Sequence, residues 1–338
     1  MTEPLRPRAA LFCPGRGSYT EKSLGSLAGE AREIDAAESL RREYGLASLR
    51  ELDGAARFDP ALHLDPVHVS ALIYVATWLD AARAAREHRL VLVGGNSMGW
   101  YSALAVAGAL SFEDGFRLVQ TMALLQKEQQ AAHGGGQVLY PLVDDEWRAR
   151  AELANSVEAA LASSAGEAFR SIELGGFVVL AGTEDGVRRL LASLPKTKLG
   201  SNLYPLRLMQ HGAYHTPLLE SVARRAREQL KGLRFCAPRT TLVDGRGRLH
   251  SAWSTDVDAL REYTLGAQVT TPYDLTASIR VALREYAPER IVLPGPGNTL
   301  GSITAQVLIR EEWRGLRSKA DFEALQSSAR PLVSSMRR

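Results

Sequence analysis

Ser97 stands at the centre of Gly95-Asn96-Ser97-Met98-Gly99, a G-x-S-x-G pattern. A serine on a sharp turn between glycines is the arrangement that presents an oxygen nucleophile for acyl chemistry. Five residues alone could equally be an ordinary Gly-rich loop with a satisfied serine, so the flanks decide. Before the pattern, Leu90-Val91-Leu92-Val93 is the continuous apolar run of a parallel strand covered on both faces. After it, the alanine-rich Ser102 to Leu110 has helical composition. Strand, turn and helix make a nucleophile elbow, and Ser97 would sit where free N–H groups and the helix dipole favour negative charge. A base for its proton must come from elsewhere. Gln210-His211-Gly212-Ala213-Tyr214-His215-Thr216-Pro217 holds two of the seven histidines, for which a surface or capping role is the competing reading. The Gly-rich loop Pro14-Gly15-Arg16-Gly17-Ser18, which follows the apolar Ala9 to Cys13, can turn backbone N–H groups toward a ligand.

The elements that must position these residues follow from pattern and punctuation. Ala71, Leu72, Val75, Trp78, Leu79 and Ala82 recur at helical spacing and predict a long helix from His68 to His88, feeding the elbow strand. Ser111-Phe112-Glu113-Asp114 reads as an N-cap opening a helix to about Gln130, stopped by Gly134-Gly135-Gly136. The next stretch changes character. Strands are expected at 137–143, 169–173, 177–181 and 204–209, with helices at 145–162 and from Thr183 through Leu194. That β-α-β-β-α-β order predicts a ferredoxin-like unit over 137–209, inserted in a larger α/β domain made of 1–136 and 210–338. A strand near Thr240 to Val243, a helix from Tyr273 to Tyr286 and the apolar strand Arg290 to Leu293 complete the larger domain, the last running into Pro294-Gly295-Pro296-Gly297. The basic tail after Pro331 is expected to be loose.

Composition narrows the function classes. With 338 residues, 45% of them hydrophobic, the chain can bury a large core. Its net charge of +3 is dispersed, which excludes a nucleic-acid partner while leaving room for local basic patches. Two cysteines without metal-ligand spacing predict neither a disulfide framework nor a metal site, and a reducing compartment. Met1 to Arg8 lacks an apolar signal core and no run approaches a membrane span, so a cytoplasmic protein without membrane contact is expected. A monomer is expected.

Four separated motifs agree in order and spacing with one family. Phe12-Cys13-Pro14-Gly15-Arg16-Gly17-Ser18, the elbow with Tyr101-Ser102-Ala103-Leu104 and Ala107-Gly108, the Ala213 to Leu219 segment, and Gly295-Pro296-Gly297 carry the resemblance. Ser111 to Asp114 and Val178 to Gly182 add landmarks. The chain resembles the malonyl-CoA:acyl carrier protein transacylases and the related acyltransferase domains of polyketide synthases, over nearly its whole length. The resemblance implies an α/β-hydrolase-like core with a parallel sheet and an inserted ferredoxin-like subdomain. It implies Ser97 as nucleophile, His215 as general base, the Met98 and Arg16 N–H groups as oxyanion donors, and the Gln268 carbonyl as the group orienting the histidine. His211 is left as a structural or surface residue.

The departures bear on the substrate. Where the family's malonyl enzymes carry a carboxylate-binding arginine, this chain has Met122, and other expected pocket positions hold Asn96, Trp100, Asp65 and Glu173. An apolar thioether leaves a buried carboxylate unpaired, which is costly. The expected activity is therefore ping-pong transfer of an uncharged acyl group, from a CoA or carrier-protein thioester through Ser97 to the phosphopantetheine thiol of an acyl carrier protein. No bound cofactor is implied. The alternatives are malonyl transfer with Arg16 as a relocated carboxylate-binding group, hydrolytic editing of carrier-protein thioesters, and a non-catalytic carrier-protein-binding module. Asp65 and Glu173 raise an amine-bearing acyl group as a further possibility. Lys196, Lys198, Arg224, Arg225 and Arg227 are the expected contacts for an acidic carrier protein.

Overall fold

The computed structural model describes residues 6–336, and the expectation for the N-terminus falls mostly on residues outside that range. In chain order its strands are β1 (Arg8–Cys13), β2 (Arg89–Gly95), β3 (Gly136–Pro141), β4 (Ala168–Leu174) and β5 (Phe177–Gly182). Then come β6 (Thr197–Leu199), β7 (Asn202–Tyr204), β8 (Leu206–Arg207), β9 (Leu242–Val243) and β10 (Leu249–His250). The last three are β11 (Tyr273–Asp274), β12 (Arg290–Leu293) and β13 (Val333–Ser335).

The main sheet runs β10-β9-β2-β1-β12-β13 and is parallel except at the β9–β10 edge. Its centre is buried on both faces, as the runs in β1, β2 and β12 demand. Helices Pro66–Glu87 and Leu275–Tyr286 pack on it, and Phe112–His133 lies against Pro66–Glu87. Each starts on a side-chain cap: Asp65 accepts from the Val67 N–H, Ser111 from Asp114, and Asp274 from Ala277. The loops after β2, β1 and β12 leave three neighbouring strands at their carboxyl ends, where open α/β sheets bind ligands. The loops also touch. A Cβ on Gly297 would lie 2.1 Å from the Ser18 carbonyl oxygen, so only glycine lets the third loop close on the first.

The smaller sheet runs β11-β4-β5-β3-β8, antiparallel apart from the β4–β11 edge. Its fifth strand comes from far along the chain, outside residues 137–209. One face packs Val138, Tyr140, Val178 and Leu180 against helices Ala151–Ser163 and Glu184–Ser193, as a core of its own. Ile172, Leu174 and Val179 on the other face join the main core. The segment β6–β7 is a separate two-stranded ribbon.

Two expectations are corrected. The helix expected from Asp145 begins at Ala151, because Asp144 Oδ1 accepts from the Glu146 and Arg148 N–H groups and holds a turn there. The tail expected to be loose is a sheet strand: Val333 to Ser335 pair in parallel with Ile291 to Leu293. No helix among the described residues is long and apolar enough to cross a membrane.

Candidate active site

The elbow is built by close approach. A Cβ on Gly95 would lie 2.2 Å from the Gly99 carbonyl oxygen, and one on Gly99 2.2 Å from that of Cys13, so both positions require glycine. Ser97 between them has φ +55°, the left-handed conformation that L-residues avoid, and His215 has φ +58°. Such strain persists where surrounding structure enforces it. At Ser97 the enforcing contacts include Gln268, whose Nε2 donates to the Ser97 carbonyl at 3.1 Å while its Oε1 accepts from Tyr101 at 2.7 Å.

Ser97 Oγ and His215 Nε2 lie 2.7 Å apart, and His215 Nδ1 lies 2.7 Å from the Gln268 carbonyl oxygen. A carbonyl only accepts, so Nδ1 carries the proton and Nε2 is free to accept from the serine. The carbonyl is available for a local reason. In a continuing helix Gln268 would accept from residue 272, which is Pro272 and has no N–H. A π-helical turn, Tyr263–Ala267, leads into this segment, and such turns often sit beside functional sites. Burial pushes the His215 imidazole down to about 4; the Gln268 bond opposes this and the Arg16 cation adds to it. At neutral pH it is a base. A second chain of bonds holds the histidine loop: Gln137 Nε2 donates to Ser171 Oγ at 2.7 Å, and Ser171 Oγ donates to the Tyr214 carbonyl at 2.8 Å. Polar side chains facing out of a strand gave no sequence signal for that role.

The first Gly-rich loop lies on the elbow, since a Cβ at Gly15 would be 2.7 Å from the Asn96 carbonyl oxygen and 3.5 Å from Ser97 Cβ. Neither the Met98 nor the Arg16 amide donates to another backbone group among the described residues. Both belong to the loops that meet at Ser97. A chamber of about 20 Å³ next to the pair is lined by Arg16, Ser97, Tyr101, Met122, His215 and Gln268. A groove of about 400 Å³ leads to Ser97 from between the sheets, past Asn96, Leu139, Val179, Tyr204 and Leu300.

The remaining expected site residues divide. Met122 and Asn96 line these spaces. Trp100 does not: fully buried, it donates to Thr264 Oγ1 at 3.0 Å and packs on Tyr263, because one helical turn past the serine the chain faces the core. Asp65 is no pocket residue either; it caps its helix and pairs with Lys127 at 2.6 Å. Glu173 pairs with Arg170 at 2.5 Å on the smaller sheet, away from the chamber lining. His211, expected to be structural or superficial, lines the groove, its Nδ1 2.7 Å from the Met209 carbonyl oxygen. Burial and the Arg16 cation lower it to about 3. Lys196 and Lys198 are exposed at the β6–β7 ribbon. Arg224 is exposed, but Arg225 pairs with Glu128 at 2.6 Å and Arg227 with Glu262 at 3.1 Å. Among the described residues no group of His, Cys, Asp or Glu could hold a metal ion.

No family model matches the chain. It is 26% identical over 305 residues to the malonyl CoA-acyl carrier protein transacylase of Salmonella typhimurium, covering 88% of this chain and 92% of that one. It is 27% identical over 328 residues to the enzyme of the same description from Mycobacterium tuberculosis, covering 94% and 98%. The polyketide biosynthesis protein ThaF of Burkholderia thailandensis is 29% identical over 317 residues, 91% of this chain but 25% of that longer protein. Among solved structures, an acyl-carrier-protein S-malonyltransferase from Burkholderia pseudomallei superposes with a TM-score of 0.73 at 21% identity, covering 97% of this chain and 95% of that one. A malonyl-transacylase solved in complex with its type II polyketide synthase acyl-carrier protein gives 0.73 at 18% identity, covering 98% and 96%. Matched along nearly the whole length of the two transacylases and sharing the fold of the solved ones, the chain is an acyltransferase similar to the malonyl-CoA:acyl carrier protein transacylases and polyketide acyltransferases.

Proposed function

We propose that the protein moves an acyl group from a CoA or carrier-protein thioester to the phosphopantetheine thiol of an acyl carrier protein, through an ester on Ser97. The observation that carries this is the relay from Ser97 Oγ to His215 Nε2 and from Nδ1 to the Gln268 carbonyl, each 2.7 Å. In the first half-reaction Ser97 Oγ attacks the thioester carbonyl while its proton passes to His215 Nε2. The tetrahedral oxyanion takes the Met98 and Arg16 N–H groups, the kind of stabilisation that contributes about 3 kcal/mol per donor. Collapse breaks the C–S bond, and the departing thiolate takes the proton from His215. The second half runs in reverse: the carrier thiol gives its proton to His215, attacks the Ser97 ester, and the serine oxygen recovers the proton.

The cavity pulls the choice of acyl group in two directions. Met122, with Val119 and Ala123, offers no partner to a charge and favours an uncharged acyl group. Arg16, in the lining of the same chamber, offers one.

Intact-mass measurement of the protein mixed with acyl-CoA tests the proposal. A single acyl adduct should form, absent in Ser97→Ala and slowed roughly a hundredfold to ten-thousandfold in His215→Ala. Adding holo carrier protein should discharge it far faster than buffer does. An adduct that persists in Ser97→Ala overturns the assignment, and discharge by water at the carrier-protein rate makes the protein a hydrolase.

A further inference from the structure

Ten buried side-chain polar atoms lack a hydrogen-bond partner among the described residues, and four of them converge on the spaces beside Ser97. They are Arg16 Nη1 and Nη2, Tyr214 Oη and Asn96 Oδ1. The fold knows how to satisfy an arginine. Arg41, fully buried, donates to the Val67 carbonyl at 2.9 Å, to Gln120 Oε1 at 2.8 Å and to the Ala47 carbonyl at 2.9 and 2.8 Å. Arg16 has nothing comparable. Its guanidinium carbon lies 4.3 Å from the centre of the Tyr214 ring, which fixes the plane of the cation without occupying its N–H groups. No Asp or Glu lines any of the three cavities that Arg16 borders. Leaving charged donors buried and unpaired is costly, so the missing acceptor is expected from the ligand.

What the donors ask for is specific. A guanidinium fork matches the two oxygens of a carboxylate, and the Tyr214 hydroxyl adds a third donor beside it. The adjoining chamber of about 20 Å³ limits the acyl chain to a short one. Resting on the acyl-transfer reading above, we infer that Arg16 and Tyr214 decide the charge of the acyl group, by binding the free carboxylate of a short dicarboxylic half-thioester. The pair stands on the loop after β1 and on the histidine loop, so the selecting group does not come from the helix that carries Met122. Asn96 Oδ1, on the groove side, is left to accept an amide N–H of the thioester arm.

The test compares CoA thioesters that differ in ending in carboxylate or methyl: malonyl against propionyl, succinyl against butyryl. The readout is the single-turnover rate of the Ser97 adduct by intact mass. The wild type should favour the carboxylate member of at least one pair by about tenfold or more. Arg16→Gln should lower that ratio by roughly thirtyfold, the weight of a charge-assisted pair, and Tyr214→Phe by about fivefold. Arg16→Lys should keep part of it, because a point charge remains without the fork. A wild type that favours the methyl-ended member of both pairs overturns the inference, as does a ratio unmoved by all three variants. Adducts from propionyl- and butyryl-CoA alone would sink this inference and leave acyl transfer standing; no adduct from any of the four would sink both.

Discussion

His215 is the residue on which rate and pH meet. In the proposed mechanism its imidazole, lowered by burial to about 4, must be neutral to take the serine proton. Acylation is therefore expected to be flat from neutral pH down to about 5 and to fall as pH drops through about 4, read as the rate of adduct formation. Stability follows the same sign. His215 and His211 take up protons more readily in the unfolded chain, near the ordinary 6.5, than in the folded one. The folded state should be most stable above about 6.5 and lose stability toward 4, which thermal melts across that range will show. The Ser97–His215 pair was open to sequence reading because each residue sits in a motif with its own local signature. The spatial facts were not. Residues 118 apart meet at 2.7 Å, while Trp100, three residues from the serine, turns into the core. Asp65 looked chemical and is a helix cap, since one carboxylate beside a proline suits either role. Arg16 could be read as a possible carboxylate partner, but that its guanidinium is orphaned could not; that is defined by what fails to surround it.

At the scale of elements, the segment from the π-helical turn to Pro272 sets the base. Pro272→Ala would supply an N–H able to compete for the Gln268 carbonyl, loosening the bond that fixes the His215 tautomer. Acylation should slow by about tenfold, at an unchanged melting temperature within a few degrees. A rate equal to wild type would show that the neighbouring contacts orient the ring without that carbonyl. The buried strands β1, β2 and β12 and the helix capped by Ser111 were legible because periodicity and capping are local. Strand β13 was not. Leu332-Val333 is too short an apolar run to announce a strand, and its order comes from pairing with β12, 42 positions earlier at Ile291–Val333. The helix at 151–163 was misplaced for a similar reason, a side-chain turn at Asp144 winning over helical composition.

At the scale of the molecule, the groove to Ser97 has a rim. Asn202 and Tyr204 of β7 line it, and the β6–β7 ribbon continues outward from them. Lys198 pairs across that ribbon with Leu203, so their side chains leave the same face; Leu203 is 61% exposed. On the acyl-transfer reading proposed above, a basic and apolar rim suits an acidic carrier protein whose phosphopantetheine arm enters the groove. Lys196→Glu with Lys198→Glu should cut transfer to the carrier by roughly tenfold, mainly through the on-rate, with the effect shrinking at high salt. The same variant should acylate from CoA at close to the wild-type rate. Arg225 and Arg227, already engaged with Glu128 and Glu262, should matter less. Unchanged carrier kinetics would return the two lysines to an ordinary solvated surface.

The left-handed backbone at Ser97 and His215 makes the protein a poor subject for selection on stability alone. Each position sets a side chain against a conformation that glycine adopts freely, at about 1 to 3 kcal/mol. A library screened for heat resistance, blind to activity, should therefore enrich glycine at 97, and its more robust clones should be inert. Screening for acyl transfer at the same temperature would remove those clones and return gains at surface positions instead.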